Sequence, residues 1–132
     1  MRVSLGLAAA LMIAPAAMAQ QRSVMKVYFG DGSAVVDKTA AGIIAKATPQ
    51  IQKCEANGVR VVGHADTFRD ANGSSELATA RARAVREVLM AKGVRDSVIA
   101  WVGHSEAELE VPTRDGVKEP RNNRVEIISV CD

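Results

Sequence analysis

Two cysteines, two histidines and a nearly even balance of charge are the scarcities that bound this 132-residue chain. Cys54 and Cys131 are too few and too isolated for a zinc cage. With His64 and His104 as the only histidines, a metal centre lacks a convincing third ligand and a supporting shell, so none is expected. Seventeen basic against fifteen acidic side chains leave a net charge of +2, which gives no electrostatic footprint for nucleic acid. A Gly-x-Ser-x-Gly elbow, a phosphate loop and a His-Glu-x-x-His pair are all missing, which removes the commonest hydrolase, nucleotide and metalloprotease readings. No cofactor is called for.

What is present begins with Met1-Arg2, an apolar run from Val3 to Ala14, and Ala17-Met18-Ala19 before Gln20. This reads as a secretory leader over residues 1–19 with a small-residue cleavage site. Its apolar core is about a dozen residues, short of the roughly 20 that a membrane-spanning helix needs. No later segment is apolar enough to span a membrane, and no cysteine follows the expected cut to carry a lipid. Loss of Arg2 with the leader leaves residues 20–132 with a net charge of +1, a size and composition that suit one globular domain. Both cysteines pass into a compartment that permits disulfides.

Along the chain, a strand is expected from Met25 to Phe29, broken by Gly30-Asp31-Gly32-Ser33. Ile44, Ala47, Ile51 and Cys54 then recur at helical spacing within a run from Asp37 to Ala56. Pro49 inside that run predicts a kink or two short helices meeting near Ala47, and Asn57-Gly58 closes it. Val59 to Gly63 is a short β-branched run suited to a central strand. Ser74 or Ser75 is expected to cap a second helix reaching Lys92, followed by strands at 98–103 and 124–130 either side of a long loop from Glu106 to Pro120. The order βαβαββ predicts an α/β (α+β) two-layer sandwich, a mixed four-stranded sheet with two main helices packed on one face. Right-handed crossovers make the first three strands parallel and the last returns antiparallel. Cys131 then finishes near the start of Val59 and the end of the first helix, which predicts a Cys54–Cys131 disulfide. A faint echo, Val62-Gly63-His64-Ala65-Asp66 against Val102-Gly103-His104-Ser105-Glu106, brings similar groups to one rim of the sheet.

That rim is where open α/β sheets bind ligands. Asp66 ends the second strand, while Arg81 shares the apolar stripe of the second helix with Leu77, Val85, Val88 and Leu89. A buried arginine needs a partner or a ligand. A ligand with an amino group and a carboxylate would find Asp66 for the first and the helix start with Arg81 for the second. The same pair also reads as a structural salt bridge tying strand to helix, and spacing alone favours that. His64, His104 and Asp66 as an acid/base set is a more distant third reading.

At these residues the sequence resembles the OmpA-like domain, a periplasmic peptidoglycan-binding module. The family's Gly-His-Thr-Asp stands here as Gly63-His64-Ala65-Asp66, and its Leu-Ser-x-x-Arg-Ala-x-x-Val as the run from Leu77 to Val85 with Arg81 in place. Its closing Asn-Arg-Arg-Val-Glu-Ile stands as Asn122-Asn123-Arg124-Val125-Glu126-Ile127. The resemblance covers nearly all of residues 20–132. It implies noncovalent, non-catalytic binding of the diaminopimelate residue of the peptidoglycan stem peptide by Asp66 and Arg81, and reverses the preference for a purely structural pair. It also points to the positions of Ser74, Ala78 and Arg124 as ligand contacts. Ala65, Ser74 and Ala78 replace the family's threonine, asparagine and serine, a reduction that motivates the alternative of an envelope protein–protein interaction module on the same fold.

Overall fold

The computed structural model describes residues 21–104 and 108–131, with Ser4, Gly6 and Ala10 as isolated positions. The expected leader and the rim position of Glu106 therefore lie outside the described residues. Four strands, β1 (Gln21–Tyr28), β2 (Val59–Gly63), β3 (Ile99–Gly103) and β4 (Arg124–Cys131), and two helices, α1 (Lys38–Lys53) and α2 (Ala71–Ala91), follow the expected βαβαββ order. The sheet runs β1-β4-β2-β3. β2 and β3 are parallel, and β4 runs antiparallel to both β1 and β2. β1 begins four residues earlier than its apolar pattern suggests, because β4 is long enough to pair Gln21 with Cys131.

Both helices bury one stripe on the same face of the sheet. Ile44 and Ile51 of α1 and Ala82, Val85 and Leu89 of α2 meet Val27, Val59, Val61, Val125 and Ile127 from the strands, and burial of such side chains is the main favourable term in folding. The expected break of the first helix at Pro49 does not divide it: α1 runs unbroken from Lys38 to Lys53. Proline removes the hydrogen bond to the carbonyl of Ala45, but Ala45 and Pro49 both lie on the exposed side, where water replaces that bond. The start of the second helix is also corrected. Asp70, not Ser74 or Ser75, is its cap, its carboxylate accepting from the Gly73 N–H at 2.7 Å.

The internal echo has a packing cause. Gly63 and Gly103 are direct partners in the β2–β3 register. A Cβ on Gly63 would collide with the backbone carbonyl of Ala78, and one on Gly103 with the backbone of Thr79. Two adjacent glycines thus let α2 settle directly onto the strand ends, which fixes the depth at which Arg81 enters the rim. At the opposite end of the sheet, Cys54 and Cys131 are joined with their Cα atoms 4.9 Å apart. The bond closes 77 residues of chain. Breaking it by Cys54→Ser or by reduction is expected to lower stability by about 2–5 kcal/mol, read as a drop in urea midpoint with the native far-UV spectrum retained below it.

Candidate functional site

The ends of β1 and β2 and the start of β4 converge below the first turns of α2, and Arg81 lies at that convergence. Its side chain is fully buried. Nε donates to the carbonyl of Ser33 at 2.8 Å, Nη1 to the carbonyl of His64 at 3.0 Å and to Asn123 Oδ1 at 2.7 Å, and Nη2 to the carbonyl of Gly30 at 3.0 Å. A guanidinium has five N–H groups, so one hydrogen on Nη2 has no acceptor assigned. Burial pulls the Arg81 pKa down to about 10, against the opposing pull of the Asp66 carboxylate, so the group stays cationic at neutral pH. The Phe29 ring lies 5.6 Å from its central carbon.

Asp66 is almost as deeply buried, at 2% exposure. Its Oδ1 accepts from the Phe68 N–H at 3.3 Å, and Oδ2 accepts from Asn123 Nδ2 at 3.1 Å and the Glu119 N–H at 3.2 Å. All three donors are neutral. Asp66 and Arg81 do not form the direct salt bridge that spacing favoured: among the described residues neither takes part in an ion pair. Asn123 stands between them. Its Oδ1 accepts from Arg81 and from the Asp66 backbone N–H at 3.2 Å, while Nδ2 donates to the Asp66 carboxylate. Turning that amide over would aim its donors at a guanidinium and its acceptor at a carboxylate, so only one orientation fits.

Above this network opens a cavity of about 200 Å³, lined by Phe29, Gly30, Asp31, Asp66, Lys118, Pro120 and Asn123. Asp66 and Asn123 are its buried polar groups, while Asp31 and Lys118 pair at 3.0 Å near its exposed side. The lining places a carboxylate against a small apolar wall, with the Arg81 charge behind it.

The other residues singled out by sequence are distributed differently. Ser74 is fully buried, its hydroxyl donating to the carbonyls of Asp66 at 3.1 Å and Arg69 at 3.3 Å, so it braces the loop that carries Asp66. Ala78 is fully buried on the sheet-facing side of α2, against Gly63, and Ala65 is 1% exposed. None of the three lines the cavity. Arg124 is not brought to it either. Val125 and Ile127 point into the core, so alternation along β4 puts Arg124 and Glu126 on the opposite face of the sheet. There Arg124 Nη2 donates to the carbonyl of Glu108 at 3.0 Å and Nε lies 3.4 Å from Glu110 and 3.6 Å from Glu126.

His64 shows the same division within one residue. Its carbonyl serves Arg81, while its fully buried ring sits on the far face, Nε2 3.3 Å from Glu126 and 6.2 Å between centroids from His104. The two histidines stack rather than converge with Asp66 as an acid/base set. Sequence reasoning overlooked Asn123 as a site residue, although it stands where the family's closing motif has arginine, and that departure was the available signal. The carbonyls of Gly30, Ser33 and His64 carried no signal in the side-chain alphabet.

The OmpA family profile matches residues 28–124. Among solved structures, the OmpA-like domain of FopA1 from Francisella tularensis superposes with a TM-score of 0.74 at 20% identity, covering 84% of this chain and 73% of that one. The peptidoglycan-associated lipoprotein from Burkholderia pseudomallei gives 0.70 at 20% identity, with 80% and 89% covered. The cell wall anchor of the T6SS from Pseudomonas aeruginosa gives 0.68 at 25% identity, with 84% and 82% covered. No curated protein matches the chain by sequence.

Two outcomes test this arrangement. Removing the guanidinium in Arg81→Leu takes the buried donor from the His64 carbonyl, one of two donors from Asn123 Oδ1 and the part-buried bonds to Gly30 and Ser33, and is expected to cost about 3–5 kcal/mol of stability by urea unfolding. Burial, reinforced by the nearby Arg124 charge, holds the His64 ring below its ordinary pKa of 6.5, with Glu126 opposing. The unfolded chain therefore takes up that proton first as pH falls. The associated stability is complete above about pH 6.5 and declines as acidification proceeds through the folded-state pKa. An NMR titration should place the His64 midpoint below 6.5.

Proposed function

The chain belongs to the OmpA family, and on that premise we propose that it binds peptidoglycan through the diaminopimelate residue of the stem peptide, without catalysis. The observation that carries this reading is the separated charge pair at the cavity: among the described residues, a buried carboxylate with no cation directly on it and a buried guanidinium with no carboxylate on it, held apart by Asn123. The free end of diaminopimelate carries one ammonium and one carboxylate. The ammonium takes the Asp66 carboxylate, and the carboxylate is drawn by the Arg81 charge behind the lining. A cavity of about 200 Å³ suits an amino-acid head group and is too small for a disaccharide. Two of the similar structures bear names that speak of peptidoglycan association and of anchoring to the cell wall, which supports the same class of ligand.

The alternative of an interaction module that has lost its pocket drew on the reduced side chains at Ala65, Ser74 and Ala78. Because those positions are buried and do not line the cavity, the reduction removes no direct contact, and peptidoglycan binding is the better-supported reading. Residues 1–19, read as a secretory leader, would deliver the domain to the periplasm, where the wall is accessible. Among the described residues no helix is long and apolar enough to cross a membrane.

Purified sacculi should co-sediment with the protein, and Asp66→Ala should weaken that binding by at least about tenfold, the expected effect of losing a charge-assisted contact. Thermal unfolding confirms that the variant is folded. Undiminished binding by a folded Asp66→Ala protein would move the ligand site elsewhere.

A further inference from the structure

Next to the diaminopimelate cavity lies a second groove, of about 320 Å³, between the segment Thr67–Ala71 and the turn at Asp115-Gly116. Its walls are fixed to each other. The Thr67 hydroxyl donates to the carbonyl of Arg114 at 2.7 Å, the Gly116 N–H donates to the carbonyl of Thr67 at 2.7 Å, and the Val117 N–H donates to the Thr67 hydroxyl at 3.3 Å. The groove is therefore preformed, and a ligand pays little to order it.

The ridge between cavity and groove carries Asp31, Phe68, Arg69 and Lys118. Lys118 Nζ lies 3.0 Å from Asp31 and 4.5 Å from the centre of the Phe68 ring, and Arg69 reaches Asp31 only at 4.0 Å. Two cations thus share one carboxylate. Phe68 stays 46% exposed, an apolar plate at the lip of the groove. On the groove side, the Asp70 carboxylate is turned to the Gly73 N–H, and Asp115 stands on the opposite wall. These carboxylates repel an anion from the groove floor and leave the ridge as the place for one.

We propose that this ridge is a second subsite, in which Arg69 takes the free α-carboxylate of the γ-linked D-glutamate that precedes diaminopimelate, while the peptide backbone crosses Phe68 into the groove. The inference rests on the diaminopimelate reading above. The chemistry follows from connectivity: diaminopimelate is joined to that glutamate through its side-chain carboxyl, so the neighbouring residue leaves the cavity with one unblocked carboxylate. The surplus cation at the ridge is its complement.

Calorimetric titration separates the two readings with three ligands: free meso-diaminopimelate, the tripeptide L-Ala-γ-D-Glu-meso-diaminopimelate, and the same tripeptide with the glutamate α-carboxyl amidated. The native protein should prefer the acid tripeptide to its amide by about fivefold, the scale of a partly exposed charged contact. Arg69→Gln should lose that preference, Arg69→Lys should recover part of it, and free diaminopimelate should bind all three proteins alike. Equal binding of the two tripeptides by the native protein, or a full preference retained in Arg69→Gln, overturns this subsite and leaves the diaminopimelate reading intact. Failure of all three ligands to bind the native protein overturns that reading and this one with it.

Discussion

A buried guanidinium with no carboxylate against it is the constraint on which the rim of this fold depends. Desolvating such a charge costs several kcal/mol, and only a nearly complete set of hydrogen bonds offsets that cost. Arg81, carried on α2, obtains them from three other pieces of chain: the turn after β1 through Gly30 and Ser33, the end of β2 through His64, and the start of β4 through Asn123. Each acceptor has to stay within about 3 Å of one planar group, so these segments cannot move independently. The Phe29 N–H donating to the Asn123 carbonyl at 2.9 Å closes the same circle between β1 and β4. A charge placed where packing alone would put leucine thus shapes the mouth of the cavity while contributing no lining atom to it.

The sheet keeps two polar clusters apart. On the helix side lie Asp66, Asn123 and Arg81. On the other lie His64, Arg124, Glu126 and Glu110, with Tyr28 and Lys26 donating to Glu110. Period-two alternation sends neighbours in the sequence to opposite faces, so Asn123 and Arg124 serve different clusters. The disulfide sits at the far end of the sheet, next to the Val59–Ser129 register pair. Cross-linking at one end and the Arg81 network at the other hold the long central strand β4 at both termini.

How far the sequence could be read follows from this layout. Element order, strand directions and the disulfide were legible because alternation, helical spacing and the handedness of crossovers constrain them strongly. The helix starts and breaks were less so. Asp70 outcompeted Ser74 as a cap, although Asn72 and Gly73 in the first turn are poor helix formers, because the turn is held against the Asp66 loop by Ser74. Pro49 was tolerated because its missing bond faces water. The placement of Arg124 away from the cavity was readable in principle from Val125 and Ile127, which fix the parity of β4. The partners of Arg81 were not readable, since three of its four acceptors are backbone carbonyls and any residue supplies one.

The role of Asn123 follows from what a direct Asp66–Arg81 contact would do. A buried, directly paired carboxylate and guanidinium satisfy each other, and a zwitterionic ligand would have to break that pair before gaining anything from it. With a neutral amide between them, each charge is hydrogen-bonded by dipoles alone and keeps its field. Burial in a low-dielectric rim makes that field stronger than it would be at the surface. The two charges are already set apart in the folded domain, so a head group that carries both signs meets its complement without prior rearrangement. On the proposed reading, asparagine at this position adds no charge beside Asp66 and leaves that carboxylate to the ligand's ammonium.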